Sequence, residues 1–221
     1  MTAAGCPGRG RPAGRRTAPA AVRAAPQSIA ARCLRRRAPS GPRGGGPLCY
    51  ADGVSAGDFD LVFDALQRGR VRYLVVGGVA VVLHGHPRFT ADLDLVVSLD
   101  PGNARAAILA LAGLGYRPRA PVEGVQFADP EARRRWIDEK GLTVFTLWSP
   151  DHPATEVDLF VQEPFPFEEA WARATLADLG DVQVPVASIA DLVALKRAVG
   201  RPKDLDDIRV LEALARERTD G

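Results

Sequence analysis

The sequence predicts an α+β fold: a mixed β-sheet packed with helices, closed by a C-terminal helix pair and preceded by a disordered tail. Three observations carry this expectation. Composition changes abruptly near residue 54. Beyond that point apolar residues recur with helical and with strand periodicity in turn. The resulting order, βα-β-α and then two strands in succession with two closing helices, departs from the strict βαβα repetition of a doubly wound sheet.

The chain has 221 residues, enough for one sizeable domain with a hydrophobic core. Its formal charge of +2 hides an uneven distribution. Residues 1–50 hold ten Arg, no Lys and no acid; the remainder holds 19 basic and 27 acidic side chains, a net of −8. The basic balance belongs to the tail, and the domain lacks the general basic surface of a protein gripping long nucleic acid. Residues 1–54 are Ala-, Arg-, Gly- and Pro-rich with few large apolar side chains, so burial cannot offset their ordering entropy. An organelle transit peptide, a basic arm touching phosphates, and a start codon set too far upstream all fit this tail, and no function is built on it.

Residues 55–221 form the expected domain. Cys6, Cys33 and Cys49 lie in or at the edge of the tail, which leaves the domain without a disulfide framework or a thiolate metal site. No run approaches the roughly 18 apolar residues of a membrane span, and the start lacks the apolar stretch of a secretory signal. A cytoplasmic protein with no membrane contact is expected.

Asp58–Arg68 reads as a helix with Phe59, Leu61, Val62, Phe63, Ala65 and Leu66 supplying its apolar positions. Tyr73–Val76 is a short buried strand that turns at Gly77-Gly78 into an apolar helix, Val79–Leu83. Phe89–Leu99 alternates strongly and reads as a strand. Asn103–Leu114 is a helix closed by Gly115, and Glu131–Glu139 a helix whose Arg133, Arg134 and Arg135 are expected in solvent. Leu142–Trp148 and Thr155–Val161 form a hairpin across a loop with Pro150 and Pro153. Phe167–Ala174 is a short helix and Val182–Val186 a short strand. Ile189–Val199 and Leu205–Arg216 are the closing helices, the first opened by a Ser188-to-Asp191 capping box.

The chemistry concentrates on three carboxylates. Arg88, Thr90, Asp92 and Asp94 share one parity of an extended segment, with Phe89, Ala91, Leu93 and Leu95 on the other. Residues i and i+2 of a strand point the same way, so Asp92 and Asp94 share a face. Like charges held that close repel unless one is protonated or a cation lies between them. Asp158 alternates similarly between Val157 and Leu159. A lone pair of aspartates is often just a half-exposed strand, but strands disfavour Asp, and three on strands suit a hard cation such as Mg²⁺. Gly77-Gly78 lets backbone approach a ligand closely before a helix start with free N–H groups, although a tight turn with no ligand would look the same.

Lys196 falls in the apolar stripe of its helix, and Asp204 and Asp207 fall in the stripe of the next. A lysine there needs an anion. An internal ion pair with Asp204 or Asp207, contact with a nucleotide phosphate, and snorkelling to the surface all remain open. His84, His86 and His152 show no ligand spacing, and no complete P-loop or dinucleotide-binding glycine motif is present.

Val76-Gly77-Gly78, thirteen residues, Asp92-Leu93-Asp94-Leu95 and a later Val157-Asp158-Leu159 resemble the nucleotidyltransferase superfamily, with its DNA polymerase β-like fold. The Arg88-x-Thr90-x-Asp92-x-Asp94 spacing and the segment from Asp191 through Lys196 to Arg201-Pro202-Lys203-Asp204 are similar to the bacterial AbiEii-toxin branch. The resemblance implies transfer of a nucleoside monophosphate from a nucleoside triphosphate such as ATP to an acceptor hydroxyl on tRNA, protein or a small molecule, in a toxin–antitoxin setting with an antitoxin partner. It implies two Mg²⁺ ions at Asp92 and Asp94, with Asp158 helping to bind the ion that activates the acceptor. Gly77, Gly78, Arg88, Thr90 and Lys196 would contact the nucleotide, with Asp204 and Asp207 in support. One departure is Gly78, where many active members carry Ser. The alternatives are a catalytically silent nucleotide- or partner-binding module with this fold, and an antitoxin that modifies a partner with the same chemistry.

Overall fold

The computed structural model describes residues 56–180 and 182–219, so the expected tail lies outside the described residues. In chain order the elements are α1 (Ala56–Arg68), β1 (Tyr73–Val75), α2 (Gly77–Leu83), β2 (Asp92–Val97), α3 (Pro101–Ala112) and β3 (Arg117–Pro118). A 3₁₀ turn (Gly124–Ala128), α4 (Pro130–Lys140), β4 (Val144–Trp148), β5 (Glu156–Phe160) and α5 (Phe167–Ala172) follow. The chain finishes with β6 (Thr175–Asp178), β7 (Gln183–Val186), α6 (Ile189–Val199) and α7 (Pro202–Thr219).

The seven strands form one sheet in the order β3-β4-β5-β2-β1-β7-β6. β2/β5 and β1/β7 pair in parallel and the other neighbours antiparallel, which is the mixed sheet of the expected α+β class. Register sorts the central strands into two faces. Leu93, Val157 and Leu147 form one cross-strand row, and Leu95, Leu159 and Phe145 the next, all buried. Each such side chain contributes about 1.5–3 kcal/mol on burial. The rows of opposite parity hold Asp92 with Glu156, and Asp94 with Asp158 and Thr146. A one-residue slip would bury the acids and expose the leucines, so the apolar face fixes the acidic one.

The apolar face is roofed in part by the 3₁₀ turn and α4, with Phe127 and Trp136 packed 5.4 and 5.1 Å from Phe145. Asp100 caps α3 by accepting from Gly102 and Asn103 N–H, and Ser188 caps α6 by accepting from Asp191 N–H. Asn103 ties two strands together: its amide accepts from Arg72 N–H and donates to the Arg72 and Ser98 carbonyls.

Several boundaries differ from expectation. α2 begins at Gly77, two residues early. β2 begins at Asp92, so Arg88 and Thr90 precede the strand rather than lie in it. α7 starts at Pro202, because a first-turn proline lacks only an N–H that would go unpaired there anyway. α5 ends at Ala172, and β6, unforeseen, starts three residues on. The short β3 and the 3₁₀ turn were also not foreseen.

Arg133 corrects the expectation of a solvated arginine run. It is buried, donates to the Phe127 carbonyl at 2.5 Å and the Leu99 carbonyl at 3.3 Å, and lies over the Phe127 ring. Arg134 and Arg135 are exposed. Arg133→Ala should therefore cost about 2–4 kcal/mol in a denaturant melt, since it strands two carbonyls and removes packing. Arg134→Ala and Arg135→Ala should stay within about 0.5 kcal/mol. Equal losses at all three would contradict the packing described.

Candidate active site

The polar rows of β2 and β5 meet the N-terminal end of α2. Val76 N–H donates to the Asp94 carbonyl at 3.0 Å, clamping the turn to β2. Gly77 adopts φ +65°, and a Cβ there would fall on the Asp94 carboxylate. A Cβ on Gly78 would meet the Thr90 hydroxyl and lie 3.4 Å from Arg88 Nη2. The glycine turn thus brings Asp94, Thr90 and Arg88 around one point. Asp94 and Asp158 face each other in register across the parallel pair, while Asp92, one row away, is exposed.

The electrostatics of this row are unfavourable for three bare carboxylates. Burial, then repulsion from Asp158 and Asp92, pushes the Asp94 carboxyl up to about 6; Lys196 and Arg201 pull it partly back. Asp158 is also raised, by burial first, with Thr146 opposing and Asp92 and Glu156 adding repulsion.

Lys196 is buried and paired. Its Nζ lies 2.6 Å from Asp207 Oδ2 and 3.6 Å from Asp204 Oδ1, an internal ion pair between α6 and α7 and one of the three alternatives open from sequence. Asp204 also receives Arg201 Nε at 2.8 Å, and Asp207 receives Arg88 Nη1 at 2.5 Å. Burial acts to raise Asp204, but Arg201 and Lys196 together hold it below the usual carboxylate range. The link from Arg88 to Asp207 spans 119 residues and leaves no local signal in the sequence. Glu156, in register with Asp92 and bound by Arg119 Nε at 2.7 Å, was likewise not singled out; its shared parity with Asp158 was the available clue.

His84 is buried in the core. Its Nε2 lies 2.9 Å from the Ala187 carbonyl, and Arg218 Nη1 lies 3.3 Å from Nδ1, which together select the neutral ring with the proton on Nε2. Burial, chiefly, lowers its pKa from 6.5. The folded state therefore resists a proton that the unfolded chain accepts. Stability is fullest above the unfolded value and is lost as pH falls through it. Thermal melts of His84→Gln should decline less steeply than the wild type between about pH 7 and pH 5; parallel profiles would refute this.

The donor set suits a hard divalent cation. Asp158 Oδ1 is buried with no hydrogen-bond partner among the described residues, an arrangement that costs free energy unless a cation meets it. Among the described residues no group of three or more His, Cys, Asp or Glu side chains forms a ready cation cage. Ions here would complete their coordination with substrate phosphates, as Mg²⁺ sites commonly do. Two surface concavities lie elsewhere, one beside α1 near Asp60 and Arg68, the other beside Pro130 and Ile137.

The glycine turn thus lies against aspartates on the polar face of a mixed sheet. The chain belongs to the AbiEii family: the family profile, described as "Nucleotidyl transferase AbiEii toxin, Type IV TA system", matches residues 61–218. It is accordingly a nucleotidyltransferase enzyme of a toxin–antitoxin family. Among solved structures, the lincosamide antibiotic adenylyltransferase LnuA, bound to lincomycin, superposes with a TM-score of 0.51 at 16% identity, covering 74% of this chain and 99% of that one. ANT(2")-Ia in complex with adenylyl-2"-tobramycin gives 0.46 at 17% identity, over 74% and 91%. LnuA supports the fold alone. No curated protein matches the chain.

Proposed function

We propose that residues 55–221 form a Mg²⁺-dependent nucleotidyltransferase that moves a nucleoside monophosphate from a nucleoside triphosphate to an acceptor hydroxyl. One observation carries this reading: Asp94 and Asp158 face each other in register, and Asp158 Oδ1 is buried without a partner beside a turn that only glycine fits. The acceptor hydroxyl loses its proton as its oxygen bonds to the α-phosphorus, while the bond to pyrophosphate breaks on the opposite side. Mg²⁺, when bound, would supply charge neutralisation at phosphate and lower the pKa of the attacking hydroxyl. Asp92, Asp94 and Asp158 would hold two such ions. Gly77 and Gly78 admit the phosphates close to backbone, with Arg88 and Thr90 beside them and Lys196 adding charge from beneath.

ATP and the other triphosphates are candidate donors, and RNA, a protein or a small molecule candidate acceptors. An antitoxin is the proposed partner, and the cytoplasm the proposed location. Among the described residues, no helix is long and apolar enough to cross a membrane. The test offers each of four labelled nucleoside triphosphates with Mg²⁺ to cellular RNA and to lysate protein, with Asp92→Asn as control. Label entering one fraction, and absent with the variant, supports the reading and names donor and acceptor together. Nucleotide bound with no pyrophosphate released would favour a silent binding module.

A further inference from the structure

One oxygen on α7 holds two cations at the edge of the proposed donor subsite. Asp207 Oδ2 accepts from Arg88 Nη1 at 2.5 Å and from Lys196 Nζ at 2.6 Å. The Asp207 side chain is 9% exposed, that of Lys196 7% and that of Arg88 24%, so the first two are shielded and Arg88 reaches the surface. Asp204 cannot replace Asp207, because it stands 3.6 Å from Lys196 and is committed to Arg201 at 2.8 Å.

The Arg88 guanidinium is used unequally. Nη1 is gripped by Asp207, and Nε lies 3.4 Å from the Phe89 carbonyl. Nη2 has no hydrogen-bond partner among the described residues, and it is the atom that lies 3.4 Å from a Cβ added at Gly78. A planar fork held along one edge has its remaining edge aimed. In the linked group, Lys196 and Arg201 act on Asp94 as well as on Asp204 and Asp207, whereas Arg88 is ion-paired with Asp207 and keeps Nη2 toward Gly78.

We propose that Asp207 is a positioning residue for the donor triphosphate: from α7 it fixes Arg88 so that Nη2 is presented to a phosphate oxygen at Gly78. This rests on the donor subsite described above. A purely structural Asp207 would only fasten α7. Charge-assisted hydrogen bonds are strong enough that misaiming one costs about tenfold in affinity.

The test uses the full chain and fluorescent analogues of ATP, GTP, CTP and UTP with Mg²⁺, comparing wild type, Arg88→Ala, Asp207→Asn and the double variant. Asp207→Asn should weaken binding of the preferred analogue about tenfold and change nothing further once Arg88 is Ala. With turnover, the loss should appear in donor KM rather than in kcat. Asp207→Glu keeps the charge that pairs Lys196 but displaces the grip; it should also weaken binding, and it serves if Asp207→Asn fails to fold. Unchanged affinity in the folded Asp207 variants, or effects that simply add, would overturn the proposal. If Arg88→Ala itself binds as wild type does, the donor reading at Arg88 is at fault, and the role of Asp207 falls with it.

Discussion

Asp94→Asn should yield a folded protein whose nucleotidyl transfer is reduced by at least about a thousandfold, because stabilising charge at the transferring phosphate is worth several kcal/mol and each 1.36 kcal/mol is tenfold. The carboxylate is half-buried and repelled by Asp158 and Asp92, so its removal relieves an unfavourable charge instead of breaking a stabilising one. The thermal midpoint should therefore hold or rise while pyrophosphate release disappears. Few substitutions in the chain should separate stability from activity so cleanly. Turnover at the wild-type rate would end the assignment of Asp94. A large drop in midpoint would mean that the carboxylate braces the fold.

Gly77→Ala should fail in both respects. The residue sits at φ +65°, where a side chain costs about 1–2 kcal/mol, and its Cβ would also fall on the Asp94 carboxylate. The combined loss should reach about 2–4 kcal/mol, with transfer falling to the level of Asp94→Asn. Gly141 is the matched control: it has φ +61°, and nothing lies within 4 Å of an added Cβ. Gly141→Ala should carry the backbone cost alone and leave transfer intact. Similar activity in the two alanine variants would show that Gly77 does not shape the site.

Much of this site could be read from local pattern because its parts are strand residues of fixed parity. Asp92, Asp94 and Asp158 were identified by alternation with buried Leu and Val, and the structure keeps each on the face so assigned. Gly77-Gly78 was visible because a strand-to-helix turn demands it. The pairing of β2 with β5 was not visible, since parallel register over some 60 residues is decided by packing and not by period. Arg133 was misplaced because three successive arginines look solvated, and only the helix phase beside Trp136 buries the first. β6 is not legible because Thr175–Asp178 is short and only half-buried, so it lacks the strong apolar alternation that marks β2.

The pairing across α6 and α7 also bears on how the chain can be divided. Gly200 to Pro202 looks like a joint between modules, with a left-handed glycine ending one helix and a proline opening the next. Yet Lys196, on the near side of that joint, has both its carboxylate partners on the far side. A chain cut at Gly200 would leave the buried Lys196 ammonium without either of its ion-pair partners, and Arg88 would lose its only ion pair among the described residues. The last helix is thus an integral wall of the catalytic unit, and any minimal fragment of this enzyme must extend past Asp207.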